Sequence, residues 1–329
     1  MVSRGMKFAW NTGLLVLFAC LCFQGRCYDL NGSGCGTYGA RGKIAGGTNE
    51  KKSDLPWTVD IHASFATAKG KVERYRCGGS IISSRFVLTA ARCVLKKKDE
   101  MASTIKVYYK DAVSGTGPSI VVADTQIHPN FDRKTRLHNI AVLRLMNPIP
   151  ISQDARPVCL MKKKMRLKDK LATVSGWGTG RSLQSRKVKI IAFKTCMQRL
   201  PEVKSREVFR NGTLICTSGQ YRGPCKGDGG GPVTIVTNGR VTQVGVISFP
   251  YSCSYGKIMP SAHTRVDNYY AWIESVISYY KRWDRNAVSG VKKRAGFTQH
   301  PSNIPRMKLT AGILDVSSQG KKKHQSLSS

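Results

Sequence analysis

Side chains that could carry out nucleophilic chemistry are few in this sequence. Acyl transfer needs a hydroxyl or thiol, a base that takes its proton and an acceptor that orients the base. The available candidates are His138, which lies beside Asn139, together with His263 and Ser248. A metal-assisted reaction would need clustered ligands, but neither a Cys-x-x-Cys pair nor a His-x-x-x-His pair occurs. The residue types therefore predict no metal site and no cofactor.

Short motifs rich in glycine and cysteine nevertheless follow one another in a regular order. A lysine precedes Ile-Ala-Gly-Gly at residues 43–47, and Cys-Gly-Gly-Ser at 77–80 is followed by Leu-Thr-Ala-Ala-Arg-Cys at 88–93. Asn-Ile-Ala-Val-Leu occupies residues 139–143, and Cys-Lys-Gly-Asp-Gly-Gly-Gly-Pro occupies 225–232. Val-Ser-Gly-Trp-Gly at 174–178 and Ile-Ser-Phe at 247–249 complete the series.

Together these motifs closely resemble the chymotrypsin-like (trypsin-type) serine protease family over about residues 44–280. The resemblance implies an all-β fold of two antiparallel six-stranded barrels, with a cleft between them and a C-terminal α-helix. Six motifs in the family's order make a chance resemblance very improbable.

The three positions of the family's catalytic triad carry other residues here. Arg92 stands where the family has its general base, Asn139 where it has the orienting carboxylate, and Gly229 where it has the nucleophile. Glycine has no side-chain nucleophile, and arginine is always protonated near pH 7. The sequence therefore predicts an inactive homologue with no catalytic residues; a relocated triad is the alternative.

The cleft around these positions is expected to keep part of its shape. The resemblance assigns the oxyanion-hole positions to Gly227 and Gly229, although these glycines could equally preserve only a tight turn. By resemblance, the family's specificity pocket falls on Gly223, Ser248, Pro250 and Ser261. Pro250 and Ser261 occupy positions that usually carry glycine in the family. Gly223 removes an acidic anchor, and Pro250 removes a backbone donor that pairs with substrate in active relatives.

The activation apparatus is expected to be partly intact. By resemblance, cleavage after Lys43 would expose the amine of Ile44, and the carboxylate of Asp228 would receive it. Such a buried ion pair needs both partners. The alternative is an uncleaved, zymogen-like form in which Asp228 bonds elsewhere.

Disulfide bonds are also assigned by the resemblance. It pairs Cys77 with Cys93, Cys196 with Cys216, Cys225 with Cys253, and Cys159 with Cys35 or Cys27. A bridge common in the family is missing at both ends, where Ala172 and Ile235 lie. One propeptide cysteine is left over, which indicates a reactive thiol or a disulfide-linked partner.

Strand-forming and helix-forming patterns agree with this fold. β-Branched or aromatic runs predict strands, with glycine, proline, asparagine and serine between them; the runs are residues 58–62, 80–82, 86–88, 105–108, 140–143 and 241–247. Tyr269, Trp272, Ile273, Val276 and Ile277 recur at helical spacing and predict a helix over residues 267–280.

The N-terminal residues indicate that the protein is secreted. Arg4 and Lys7 precede an apolar stretch at residues 14–23, which predicts a signal peptide over 1–25, with a membrane anchor as the alternative. We expect a propeptide at 26–43, the protease-like domain at 44–280 and a loose basic tail at 281–329. Removal of the signal would take two of the 11 cysteines and leave an odd number.

The charge is strongly positive, with 54 basic and 19 acidic residues giving +35. Residues 44–280 alone carry 38 basic and 16 acidic residues, a net of +22. One run, which we call the polyanion patch, concentrates six cations: Lys162, Lys163, Lys164, Arg166, Lys168 and Lys170. The charge predicts heparin-like glycans, an anionic membrane surface or an acidic protein as partner, and no nucleic acid, although even a dense run can be only a solvated loop. Asn31 and Asn211 begin glycosylation tripeptides.

Three classes of function remain open. The first is a secreted, non-catalytic homologue that serves as a cofactor or decoy in an extracellular protease network, which resembles serine protease homologues of arthropod immunity and seminal fluid. The second is a cationic effector of the azurocidin type that binds heparin-like glycans or anionic surfaces. The third is a residual serine endopeptidase. The composition, with 41% hydrophobic residues, excludes a disordered basic tail protein and a collagen-like chain.

Overall fold

The structure is a computed structural model that describes residues 29–38, 51–67, 70–96, 100–199, 212–218, 224–225, 227–249 and 259–288. The chain divides into two units, Met1–Gly290 and Val291–Ser329, and all of these residues belong to the first unit. The expected signal peptide, activation bond and C-terminal end lie outside the described residues. Among the helices that are described, none is long and apolar enough to cross a membrane.

Six strands close the first barrel, with every neighbouring pair antiparallel. They follow the order β1-β2-β3-β6-β5-β4 around the barrel. Alternate side chains point inward, as in β4, where Ile105 and Val107 are buried between exposed neighbours. The bounds are β1 Thr58–Ala66, β2 Val72–Ser83, β3 Phe86–Thr89, β4 Thr104–Tyr108, β5 Ser119–Ile127 and β6 Ala141–Leu145.

The second barrel closes through the pairing of β11 with β12 and has one added strand. Its ring runs β8-β9-β10-β13-β12-β11, and the short β7 pairs with β12 in parallel. Its core packs apolar side chains such as Val174, Ile190, Val233 and Ile247. The bounds are β7 Cys159–Leu160, β8 Leu171–Gly176, β9 Gln184–Ile191, β10 Leu214–Thr217, β11 Pro232–Thr237, β12 Arg240–Phe249 and β13 Ser261–Arg265. Two closed six-stranded antiparallel barrels confirm the predicted fold class.

The C-terminal helix is longer than the sequence pattern predicts. A 3-10 turn, Val266–Tyr269, leads into the helix α2, Tyr270–Val288, so both the predicted start at 267 and the predicted end at 280 were wrong. Apolar density falls after residue 280, but Asp284 is held by Arg144 at 2.9 Å and lies 3.8 Å from Arg85. These polar contacts fix a further turn to the first barrel, and residues 281–288 are therefore helical. A shorter helix, α1, spans Phe193–Arg199, and further 3-10 turns span Lys52–Asp54 and Ala91–Cys93.

Three disulfides join distant parts of the described chain: Cys35–Cys159, Cys77–Cys93 and Cys196–Cys216. The first selects Cys35 over Cys27 as the partner of Cys159. Cys253, the expected partner of Cys225, lies outside the described residues, as does Cys27. Ala172 and Ile235, which replace a bridge of the family, are both buried in the second core.

The N-terminal segment at residues 29–38 is docked on the second barrel. Gly36 donates its N–H to the carbonyl of Pro157 at 2.9 Å and accepts the N–H of Val241 at 2.9 Å. Gly36 has φ +65°, and a Cβ there would lie 2.2 Å from the carbonyl oxygen of Val241. Only glycine allows this close approach, so the docking beside the Cys35–Cys159 bridge depends on it.

Candidate functional site: the degenerate catalytic cleft

Arg92 and Gly229 meet at the centre of the cleft. Arg92 lies in the 3-10 turn after β3, a turn anchored by the Cys77–Cys93 disulfide, and Gly229 lies in the loop before β11. A Cβ added at residue 229 would be 1.7 Å from Nη2 and 2.7 Å from Cζ of Arg92. The guanidinium therefore fills the space that a side chain at position 229 would need.

Arg92 is a half-buried cation that keeps its proton. Burial, with a smaller contribution from the nearby positive charge of Arg136, lowers the pKa of its guanidinium to about 10. The side chain is therefore still charged at neutral pH. Its Nε is buried and has no hydrogen-bond partner among the described residues.

Asn139 connects the two barrels underneath this contact. The side chain is fully buried, and its Oδ1 accepts the backbone N–H of Arg92 at 3.0 Å. Its Nδ2 donates to Oγ of Ser248 at 2.6 Å, and its backbone carbonyl accepts a hydrogen bond from Oγ1 of Thr264 at 3.0 Å. Asn139 thus fixes the backbone that carries Arg92.

The glycine-rich loop is tied to both barrels through its backbone. The carbonyl of Gly229 accepts the N–H of Gly78 at 2.9 Å, and the N–H of Gly230 donates to Ile247 at 2.8 Å. Within the part of the chain that the structure describes, the N–H groups of Gly227 and Gly229 have no such partner. Two backbone N–H groups left for a ligand oxygen are what an oxyanion hole requires.

Asp228 is held by backbone donors on both sides. Its Oδ1 accepts the N–H of Gly178 at 2.7 Å and its Oδ2 accepts the N–H of Cys225 at 2.8 Å. Burial raises the pKa of this carboxyl, while the two hydrogen bonds and the charges of Arg76 and Arg186 oppose the rise. Lys43 and Ile44 lie outside the described residues, so the activation ion pair stays a prediction.

The pocket residues that are described have buried side chains. Ser248 is fully buried against Asn139, and Ser261 in β13 is 1% exposed with its Oγ unpartnered among the described residues. Gly223 and Pro250 lie outside the described residues.

The histidines proposed for a relocated triad are engaged elsewhere. Nδ1 of His138 lies 3.1 Å from the Tyr269 hydroxyl, and Nε2 of His263 lies 2.8 Å from Oγ1 of Thr217. Burial lowers the pKa of His263 to about 3. No histidine ring in the described ranges is hydrogen-bonded to a serine hydroxyl, and no group of three metal-binding side chains occurs there.

A cavity of about 540 Å³ opens beside Arg92. Its walls are two aromatic rings, one leucine, four cations and one carboxylate: Phe65, Tyr75, Leu95, Arg92, Lys96, Arg133, Arg136 and Glu73. No motif of the sequence predicts this cavity. The sequence features that could have indicated a charged cavity here are the lysine run that begins at residue 96 and the three cations at residues 133–136, just before Asn139.

All six cations of the polyanion patch are exposed. The only carboxylate within the run, Asp169, lies 3.9 Å from Nζ of Lys168 and 3.3 Å from Nζ of Lys189. Lys162 lies with its Nζ 5.2 Å from the ring centre of Tyr270. The patch therefore borders the second barrel and the start of α2.

Asn31 does not present its amide for glycosylation in this structure. Its Nδ2 donates to the carbonyl of Leu160 at 2.9 Å, and its Oδ1 accepts the N–H of Leu160 at 2.6 Å. A glycan on Nδ2 would break this pair of hydrogen bonds; glycosylation of Asn31 stays a prediction. Asn211 lies outside the described residues.

Comparison with known proteins agrees with the barrels and the cleft. Residues 44–273 match the family model described as Trypsin. Trypsin beta of Drosophila erecta is 29% identical over 241 residues, covering 70% of this chain and 87% of that protein. Clotting factor G beta subunit of Tachypleus tridentatus is 27% identical over 267 residues, covering 75% and 84%.

Solved structures give the same result. HL collagenase superposes with a TM-score of 0.60 at 25% identity, covering 71% of this chain and 99% of that one. The scabies mite inactivated protease paralogue S-D1 gives 0.59 at 27% identity, covering 72% and 98%. From its motifs, its two barrels and these matches, the chain belongs to the trypsin family of serine protease homologues.

Proposed function

We propose that this protein is a secreted, non-catalytic member of the family that acts as a binding or regulatory module in an extracellular protease network. The observation that carries the proposal is the guanidinium of Arg92 in the space of a side chain at residue 229. In an active relative that space would hold the nucleophile. Here it holds a cation, and position 229 has no side chain.

The remaining groups do not replace the missing chemistry. A guanidinium that keeps its proton cannot take one from a hydroxyl. Asn139 is neutral and is bonded to the backbone of residue 92 and to Ser248, so it orients no base. Backbone donors and binding alone give only a small residual rate.

The surviving cleft suits recognition. It keeps the shape of the family's barrels, two N–H groups without a partner among the described residues, and a half-buried positive charge. One structural neighbour is described as an inactivated protease paralogue, and one relative as a clotting factor subunit. Both descriptions support a role as cofactor or decoy among proteases, with a protease or a protease substrate as partner.

Activity measurements on the secreted chain test the proposal. We expect no turnover of peptide esters and no labelling by a fluorophosphonate, and Gly229→Ser alone should also remain silent because no base is present. The triple variant Arg92→His, Asn139→Asp, Gly229→Ser should show weak labelling, which would prove that the probe reaches the cleft. Turnover by the unmodified chain that persists through repurification would overturn the proposal.

A second candidate function is supported by the polyanion patch. Its six exposed cations border the second barrel, and an azurocidin-like effector would use such a patch on heparin-like glycans or an anionic membrane surface. A pull-down from the native fluid at low and high salt separates the two candidates. A protein partner retained at high salt favours the regulatory module, and one joined through the odd cysteine would be released by reductant.

A further inference from the structure

The cavity beside Arg92 has the size and the walls of a small-molecule site. Its volume of about 540 Å³ lies within the range of about 300–1,000 Å³ typical of ligand pockets. Phe65, Tyr75 and Leu95 give it apolar and aromatic surface. Such surface binds the body of a ligand, while charged groups on the same walls select its head group.

The charges on the walls are unbalanced. Glu73 is the only carboxylate among the described lining residues, and it is already paired: Lys96 lies 2.5 Å from its Oε2 and the Tyr75 hydroxyl donates to the same oxygen at 3.1 Å. The charges of the carboxylate and this lysine cancel. Three guanidinium groups, those of Arg92, Arg133 and Arg136, then leave the described lining residues with a net charge of +3.

Two of these guanidinium groups, those of Arg92 and Arg133, have few acceptors among the described residues. The side chain of Arg92 has a buried Nε without a partner among the described residues, and Arg133 donates Nη1 to the carbonyl of Leu95 at 2.9 Å. Arg92 and Arg136 are close enough for their charges to repel. A buried cation is costly unless an anion or hydrogen-bond acceptors compensate it, and an oxyanion in the cavity would supply both.

We propose that this cavity binds an organic anion in which one carboxylate, sulfate or phosphate group is joined to an apolar body. Arginine suits such a group because its planar fork binds two oxygen atoms at once. The apolar body would contact Phe65, Tyr75 and Leu95. This site needs no protein partner and is therefore independent of the proposed regulatory role.

Calorimetric titration with four ligands of similar size tests the charge requirement. Phenyl sulfate and phenyl phosphate are the anionic probes, benzyl alcohol is the neutral probe and benzamidine is the cationic probe. We expect one anion bound per chain, with the neutral and cationic probes bound at least about tenfold more weakly, because each charge-assisted hydrogen bond contributes about 1.5–3 kcal/mol. Equal affinity for all probes would overturn the proposal.

Two matched pairs of substitutions locate the site. Arg133→Gln with Arg136→Gln removes two cavity charges, and Arg181→Gln with Arg282→Gln removes two exposed charges outside both the cavity and the polyanion patch. We expect the cavity pair to weaken phenyl sulfate binding about tenfold or more and the control pair to change it less than about twofold. Equal loss in both pairs would mean that net charge alone attracts the anion. If the double cavity variant fails to fold, the single variants Arg133→Gln, at an exposed residue, and Arg92→Gln are measured in the same way.

Discussion

Arg92 and Gly229 are fitted to each other at the scale of single residues. The guanidinium lies where a Cβ at residue 229 would begin, so the arginine rotamer and the glycine depend on one another. Their positions could be identified from the motifs in the sequence. The contact between them could not, because a long side chain chooses its rotamer from the surrounding packing and not from its neighbours in the chain.

Gly229→Ala should therefore destabilise the protein by about 1–3 kcal/mol, as overpacking typically does. The added Cβ forces the guanidinium out of its present place. In an Arg92→Ala background the same change should cost close to nothing, since the space is then empty. Denaturant unfolding of both single variants and the double variant measures this coupling, and additive effects would contradict the contact.

Some contacts of single residues could not be predicted from the sequence motifs. The amide of Asn31 could be recognised as a glycosylation acceptor, but its hydrogen bonds to Leu160 join residues 129 apart. The cavity arginines at 133 and 136 lie in a loop that carries no family motif. Long-range contacts of this kind are set by the tertiary fold, which the local sequence does not display.

At the scale of elements, the N-terminal segment is held to the second barrel through β7. The Cys35–Cys159 bridge joins it covalently, and hydrogen bonds from Asn31 and Gly36 hold its backbone. Cleavage after Lys43 should therefore leave this segment attached to the rest of the chain.

Electrophoresis in SDS tests this attachment. In a Cys27→Ser background, the chain cleaved after Lys43 should run as one band without reductant and as two bands with it. The further substitution Cys35→Ser should release the segment in SDS without any reductant. Release from the chain that still contains Cys35 would show that the bridge is not formed.

The two histidines of the segment between β5 and β6 pack against the start of α2. The rings of His128 and His138 are stacked at 5.0 Å, and His128 also contacts Trp272 at 5.1 Å. Burial lowers the pKa of His128 to about 4, with a further contribution from His138. The helix therefore packs on a neutral pair.

The stability of the protein should fall in acid partly through this pair. The unfolded chain protonates His128 near its usual pKa of 6.5, whereas the folded chain resists protonation down to about pH 4. The free energy of unfolding should drop by about 1–2 kcal/mol over that window. His128→Asn should reduce the drop, since an amide oxygen can still accept the N–H of Asn130 but does not titrate. Identical pH profiles from denaturant titrations would refute this assignment.

At the scale of the whole molecule, the barrels could be predicted but not all of their strands. All six predicted strand segments overlap observed strands. β5 was not predicted, because its residues are exposed or only half-buried and its alternation of apolar and polar residues is therefore weak. The end of α2 was not predicted, because it is fixed by the contact between Arg144 and Asp284, which lie 140 residues apart in the sequence.

The net charge of the domain, +22 over residues 44–280, should make the mature chain bind immobilised heparin. Retention should weaken with salt, because the Debye length shrinks from about 10 Å at 0.1 M to about 3 Å at 1 M. If the polyanion patch is the binding element, replacing its six cations by glutamine should lower the elution salt more than replacing six exposed cations elsewhere: Lys71, Arg74, Lys106, Lys134, Arg181 and Lys194.

Two outcomes would count against the patch. Equal elution salt for the two sixfold variants would mean that charge is simply spread over the surface. Loss of retention on deletion of residues 289–329, which leaves the whole of α2 in place, would assign binding to the C-terminal end of the chain.

The contact between Arg92 and Gly229 also has a consequence for how the triad positions can evolve. An arginine in this rotamer requires a residue without a Cβ at 229. Restoring the family's triad residues one at a time meets an obstacle at each step. A serine regained first would collide with the guanidinium, and a histidine regained first would find no hydroxyl to deprotonate. Because neither single step would bring a nucleophile and a base together, selection for hydrolysis has no first step to act on, and the replacement of the family's triad residues is hard to reverse.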